Sequence, residues 1–359
     1  MTIRIAVITA AVGTALAALS GQAFAQAQGI EVRLSGQVNR AIMHADDGED
    51  SDHFFVDNDI SSTRFRLSAT APIMSGLTAG AVWENEFQSN ASNEVSMFVR
   101  DASPRFLERH ADIFLQGGWG KVSLGQGSGA ADGGIEVDLS GTTVAHWSGA
   151  DNIGGAFEFN ADGLPTGVTV GDTINNQDFE SRYDRLRYDS PNLGGFGIAV
   201  STGSKASADV HEIAATYSGD MGGLGRLAAA IGFSKNNTSD TLGDDIETTG
   251  GSVSWLHGSG FNVTLAHSRR DFGSLGEDGK FTYAKLGYKF GRHAVSLDWG
   301  KGEDIAIDGV EGDMVGVGYV WAPAAWADIY AAIKRHGAEA GGTDADNITF
   351  MMVGTRIKF

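Results

Sequence analysis

From about residue 30 onward the chain alternates apolar and polar positions with a period of two. Val32, Leu34, Gly36 and Val38 face one way, and Glu31, Arg33, Ser35, Gln37 and Asn39 the other. Phe65, Leu67 and Ala69 oppose Arg64, Arg66 and Ser68, and Ala79, Ala81 and Trp83 oppose Glu84 and Glu86. The pattern returns at Phe196, Ile198 and Val200, at Leu227, Ala229, Ile231 and Phe233, at Val315, Val317, Tyr319 and Trp321, and elsewhere. Successive side chains of a strand point to opposite faces, so each segment reads as a half-buried strand.

The connections alternate as well. Short ones, mostly with Gly or Pro, fall near 72–76, 117–120, 190–195, 219–225, 258–260, 291–292 and 322–324. Longer polar ones fall near 45–58, 89–104, 127–181, 203–208, 235–246, 271–279, 301–312 and 336–346. Seven and eight connections make sixteen strands, with both ends on the short-turn side. This predicts an all-β fold: a transmembrane antiparallel β-barrel with short periplasmic turns and long external loops. None of Pro72, Pro104, Pro165, Pro191 and Pro323 interrupts a predicted strand interior, where proline would delete a ladder bond. Outward aromatics gather near strand ends, as two interfacial girdles require: Tyr217, Trp255, Phe261, Tyr288, Phe290, Trp321 and Phe359 near the short turns, Phe233 and Trp299 near the loops. The segment from Asn347 to Phe359 is itself amphipathic, with Met351, Val353, Thr355, Ile357 and Phe359 on one face and Gly354, Arg356 and Lys358 on the other. A closed ring needs such a final strand, because every strand must have two bonded neighbours.

Composition narrows the picture. Residues 1–25 read as a cleaved signal peptide, with Arg4, an apolar run from Ile5 to Leu19, and the small-residue site Ala23-Phe24-Ala25. Residues 26–359 then form one barrel domain, with the long connection at about 127–181 as its candidate constriction loop. No cysteine is present, so stability rests on architecture alone. Net charge is −19, or −20 once Arg4 is lost, which argues against nucleic acid as a partner. Beyond the signal no run of 18 apolar residues occurs, so helical spans are not expected.

Candidate chemistry lies in the bore, since sixteen strands enclose more space than side chains fill. Arg33, Arg64, Arg66, Arg185 and Arg187 are the expected basic pore lining. The long loop offers Glu136, Asp138, Asp151 and Glu158 as constriction acids, with Asp162, Asp172 and Asp178 also on it. Acids facing an arginine wall would set up a transverse field that passes small hydrophilic solutes and disfavours greasy ones. Acidic outer loops such as Asp46-Asp-Gly-Glu-Asp50 lean the ion preference toward cations at the mouth. No catalytic, metal or cofactor site is expected. Gly125-Gln-Gly-Ser-Gly-Ala130 mimics a dinucleotide fingerprint, but no helix follows it. Asp57-Asn-Asp59 lacks the remaining oxygen ligands of a calcium loop. His267 falls on the lipid or interface side, whereas a hydrolase would need it on one face with Ser252 or Ser254.

Leu34-Ser-Gly-Gln-Val-Asn-Arg-Ala41, Ser61-Ser-Thr-Arg-Phe-Arg-Leu67, Gly117-Gly-Trp-Gly-Lys-Val-Ser-Leu-Gly-Gln126, Arg185-Leu-Arg-Tyr-Asp-Ser-Pro191 and the terminal Phe359 resemble the general bacterial porins of Gram-negative outer membranes. The resemblance implies a sixteen-stranded homotrimer whose third external loop folds into the lumen, surrounded by outer-membrane lipid and lipopolysaccharide. It also implies that Phe359, with Ile357, is read by the barrel-assembly machinery. Two features depart from the pattern: Gln126 stands where arginine is common, and the inward loop is unusually long. A substrate-specific channel, or a structural or adhesive barrel plugged by residues 127–181, are the alternatives to an open diffusion pore.

Overall fold

The structure is a computed structural model that describes residues 29–206, 208–237 and 245–359. The segment read as a signal peptide lies outside these residues. Sixteen strands form one closed antiparallel ring, each bonded to its sequence neighbours. They are β1 (Glu31–Asp46), β2 (Arg64–Met74), β3 (Leu77–Gln88), β4 (Arg105–Gly117), β5 (Gly120–Ser128), β6 (Arg182–Asp189), β7 (Phe196–Lys205) and β8 (Ala208–Asp220). The second half comprises β9 (Arg226–Asn237), β10 (Ile246–Leu256), β11 (Phe261–Asp271), β12 (Gly279–Phe290), β13 (His293–Glu303), β14 (Val310–Ala324), β15 (Ala327–Ala340) and β16 (Ile348–Lys358). Two short strands, Ser51–Asp57 and Thr343–Asp344, extend the sheet above the ring.

Closure runs through β1. Its first half pairs with β2, from Glu31 opposite Thr70 to Gln37 opposite Arg64. Its second half pairs with β16, from Gln37 opposite Lys358 to Asp46 opposite Thr349, and its free edge there takes up Ser51–Asp57. No ring strand is left without two neighbours, as a barrel in lipid requires.

The two faces differ as the alternation predicts. Leu34, Ile113, Ile198, Ile231, Val317 and Val353 are exposed on the outer face. So broad an apolar surface is untenable in water and suited to acyl chains. Around the short turns the outer aromatics meet one another: Phe196 with Tyr217 at 4.7 Å, Tyr288 with Phe290 at 5.7 Å, and Phe290 with His293 at 5.3 Å. Pro72 and Pro323 sit beside register shifts near the ends of β2 and β14, where a missing N–H is tolerated.

One predicted connection is corrected. The segment 203–208 is not a longer loop, because β7 runs to Lys205 and β8 begins at Ala208. Ala206 turns the chain with a positive φ of 48°.

Residues 129–181 cross the interior. Their neck is pinched where the Gly129 amide donates to the Ser181 carbonyl at 2.8 Å. Beyond it, the Val137 and Leu139 amides donate to Ser252 and Ser254 Oγ of β10, at 3.0 and 2.9 Å. Phe157 and Ile174 of this loop are buried with Met43 of β1, Met314 of β14 and Phe350 of β16 in one apolar cluster. The molecule's core is therefore the contact between this loop and one side of the inner wall.

Candidate functional site

The opposite side of the bore stays open. A cavity of about 580 Å³ lies between the loop and the wall of β2 to β7, and a smaller one of about 250 Å³ adjoins it. The wall side carries an excess of cations, with Arg64, Arg105, Arg109, Arg182 and Lys205 against Glu86 and Glu108, and the loop side is acidic, with Asp132, Glu136 and Asp178.

A β-bulge builds the basic wall. Opposite β3 the register of β4 shifts, so that Glu84 pairs with His110 and Asn85 with Glu108, leaving Arg109 as the extra residue. A bulge re-aims a side chain. Arg109 is thereby turned inward, where Nε donates to Glu84 Oε1 at 2.7 Å and Nη1 to Glu86 Oε2 at 2.6 Å. Arg66 reaches the other oxygen of Glu84 at 3.3 Å, and Ser62 Oγ donates to Glu86 at 2.6 Å. Arg105 pairs with Glu94 at 2.6 Å. Arg64 differs: its recorded bond is to Ser61 Oγ at 3.4 Å, and no carboxylate stands within 4.0 Å of it among the described residues.

The five arginines expected in the lining take different places. Arg64 lines the cavity, and Arg66 lies one step along β2, tied to Glu84. Arg33 is exposed toward the short-turn end of β1. Arg185 is buried in the wall and ties three strands together, donating to Asp112 Oδ2 at 2.7 Å, Gly125 O at 2.6 Å and Ser128 O at 2.9 Å. Arg187 pairs with Asp189 at 2.7 Å. Arg105, Arg109, Arg182 and Lys205 were not among the expected residues. Arg105 and Arg109 share a face by simple alternation, but the bulge beside them carries no sequence signal of its own.

The four expected acids separate too. Glu136 lines both cavities, and its Oε1 accepts from Asn176 Nδ2 at 3.1 Å. Asp151 lines the smaller cavity, and burial pushes its carboxyl up to about 6. Asp138 is turned away from the cavities, paired with Lys285 of β12 at 2.6 Å. Glu158 belongs to a hairpin formed by Glu158–Ala161 and Leu164–Thr169, where it accepts from the Gly167 amide. Asp178 is the missing partner of Glu136: its two oxygens accept from the Gly133 amide at 2.6 Å and the Ile135 amide at 3.0 Å.

Behind the loop a buried polar latch fixes its course. His146 Nδ1 meets Asp298 Oδ1 of β13 at 2.6 Å, and Tyr283 OH donates to Asp298 Oδ2 at 3.0 Å. Lys285 Nζ donates to the His146 carbonyl at 2.6 Å, and Lys334 Nζ of β15 to the Ala150 carbonyl at 3.1 Å. Glycines let the two backbones approach. A Cβ on Gly302 would lie 2.2 Å from the Thr173 carbonyl oxygen, and one on Gly316 2.1 Å from the His146 ring.

The other candidates are engaged structurally. Gly125 to Ser128 are strand, their carbonyls bound by Arg185. Asp57 accepts from the Thr63 amide at 3.0 Å, and Asp59 from Gln88 and Asn152 at 2.9 and 2.7 Å. His267 bonds Thr282 on the outer face, while Ser252 and Ser254 point inward to the loop.

Such a ring, apolar outside and charged within, has counterparts of known structure. An anion-selective porin from Comamonas acidovorans is 22% identical, with a TM-score of 0.63 over 92% of this chain and 100% of that one. OmpF of Salmonella typhi, solved with daunomycin, is 13% identical with a TM-score of 0.60 over 92% and 98%. OmpT of Vibrio cholerae is 16% identical with a TM-score of 0.57 over the same shares. No curated sequence matches the chain significantly. A model of Gram-negative porins matches residues 10–352, which is nearly the whole length. The chain belongs to the Gram-negative porin family.

Proposed function

We propose that the protein is a water-filled outer-membrane channel for passive diffusion of small hydrophilic solutes and ions, narrowest between the arginine wall and residues 127–181. One observation carries this reading: a closed ring, apolar outside, holds an unfilled cavity whose two sides bear opposite charge. Arg64 and the Glu136 side of the loop act there as opposed poles. Polar solutes keep their hydration or align with the field, and apolar ones lose water without compensation. The protein is a channel rather than an enzyme. The acidic outer segment Asp46 to Asp50 concentrates cations at the mouth, within a screening length of ~8 Å at physiological salt.

Conductance of the purified, folded protein in planar bilayers tests the reading. Stepwise ohmic conductance supports an open pore. Insertion with no current at any voltage would favour a barrel plugged by residues 127–181.

The finer reading has three parts. Residues 1–25 are removed on export, which a mature mass beginning at Gln26 checks. Three copies assemble, as in the trimer form described for OmpT of Vibrio cholerae, and crosslinking to a three-fold mass checks it. Phe359 and Ile357 are offered to the barrel-assembly machinery, and the outer belt meets outer-membrane lipid and lipopolysaccharide.

A further inference from the structure

The smaller cavity differs from the main one in having an aromatic ring among planar polar groups. Trp147 is half-buried, packed on one side against the loop's apolar cluster, and lines both spaces with the rest of its surface. The indole is fixed from the loop and from the wall. Its Nε1 donates to Asn152 Oδ1 at 2.6 Å, Asn152 Nδ2 donates to Asp59 Oδ2 at 2.7 Å, and Asp59 Oδ1 accepts from Gln88 Nε2 of β3 at 2.9 Å. Gly149 makes room for this arrangement, since a Cβ there would stand 2.6 Å from Trp147 Nε1 and 2.8 Å from Cε2.

Asn152, Asn175 and Asn176 line the same space with Glu136, Asp151 and Asp178. Asn152 and Asn175 each spend one side-chain N–H, on Asp59 and on the Gly171 carbonyl, and keep the second. Arg270 of β11 donates through Nε to Thr248 Oγ1 and through Nη2 to the Phe179 carbonyl, both at 2.9 Å. Its Nη1 makes no hydrogen bond among the described residues.

These groups select a class of ligand. An aromatic face accepts the C–H face of a saturated ring, while amides, carboxyls and a guanidinium match a rim of hydroxyls. An organic cation is poorly served, because Asp178 already accepts from the Gly133 and Ile135 amides and Glu136 from Asn176, and Arg270 adds a positive charge. An anion would meet three carboxyls against that one guanidinium. The volume of about 250 Å³ falls just below the roughly 300–1,000 Å³ of sites for drug-sized ligands, and so suits a single ring.

We propose that the smaller cavity is a binding site for one pyranose ring of a neutral carbohydrate, stacked on Trp147 with its hydroxyls on Asn152, Asn175 and Arg270. The proposal rests on the channel reading above and adds a saturable step to it. A sugar that fits is held on its way through, whereas other solutes are sorted by size and charge alone.

The test is the conductance of the folded protein in planar bilayers as methyl glucoside is added to both sides. Conductance should fall and level off, with half the effect at about 1–10 mM, the affinity expected of so small a ligand. Trp147→Ala should weaken the effect about tenfold, and Trp147→Phe less, because a ring remains. Asn175→Asp keeps an acceptor for the Gln177 amide and removes only the donor, so it should weaken the effect in a barrel that still folds. An ethylene glycol oligomer of the same size should lower conductance without levelling off, and equally in all variants. The site is overturned if methyl glucoside behaves like that oligomer, if Trp147→Phe and Asn175→Asp respond like the wild type, or if tetramethylammonium saturates where the sugar does not. Calorimetric titration of methyl glucoside into protein folded in a detergent without a sugar headgroup separates the two readings. Binding by a barrel that never conducts would keep the site and overturn the channel, and absence of both would overturn both.

Discussion

Phe359 and Gly36 exchange two backbone hydrogen bonds across the seam of the ring, the Phe359 amide to Gly36 O at 3.0 Å and the Gly36 amide to Phe359 O at 2.8 Å. The Phe359 ring lies over Gly36, where a Cβ would stand 2.8 Å from it and 2.7 Å from the Arg64 carbonyl oxygen. Glycine is needed here for close approach, not for an unusual φ.

Gly36→Val should therefore impair closure. The expected result is a several-fold loss of the compact, heat-modifiable form on electrophoresis, with unchanged conductance for each channel that does assemble. Deleting Phe359 should act in the same direction. Normal yield of folded barrel from either variant would contradict this account of the seam.

Arg109→Ala should cost stability as well as selectivity. It leaves Glu84 and Glu86, whose side chains are 9% and 8% exposed, short of their main counter-ion. Breaking a buried pair typically costs about 3–5 kcal/mol, and the remaining Arg66 and Ser62 contacts offset part of that. Denaturant titration of the detergent-folded barrel should reveal a loss of about 2–4 kcal/mol. Arg109→Lys should recover less than half, because one ammonium cannot span two carboxylates as a guanidinium does.

Arg64→Ala should do the opposite: little change in stability, below about 1 kcal/mol, and a clear rise in cation preference. Arg185→Ala is the contrasting variant. It strips Asp112 and the Gly125 carbonyl oxygen of their Arg185 bonds and leaves the Ser128 carbonyl to Arg187 alone, so stability should fall with little effect on reversal potential. If both variants moved the reversal potential equally, the assignment of one to the lumen and the other to the wall would fail.

Gly302→Val should displace the loop. Its Cβ would meet the backbone of Thr173 and Ile174 at 2.2 and 3.1 Å, which no side-chain rotation relieves. The expected channel folds and conducts, but with altered conductance and more open-state noise. Wild-type traces from this variant would show that the loop is not held against β13 as described.

The sequence displays the ring because lipid outside and water inside force every strand to alternate. Val32, Leu34 and Val38 are exposed outward and Gln37 and Asn39 buried inward, as their period implies. The loop has no such period. Glu158 and Glu136 read alike in sequence, yet one sits on a hairpin and the other at the meeting of two cavities. Asp138 looked like a constriction acid because its partner, Lys285, is far away in sequence. Arg109 was missed because a bulge depends on the register between β3 and β4, which neither strand encodes alone. The inward Lys285, Asp298 and Lys334 were the available hint of a latch, being charged residues on inner faces that also carry the buried Phe281, Tyr283, Tyr330 and Ala332.

The meeting of Gly36 with Phe359 also constrains biogenesis. The contact that completes the structure joins residues separated by most of the polypeptide, and such pairings form slowly. Until then any assembled part offers two bare sheet edges, each a template for aggregation. A half-made barrel is thus a hazard rather than a smaller pore, and its edges stay open to wrong pairing until the circle shuts.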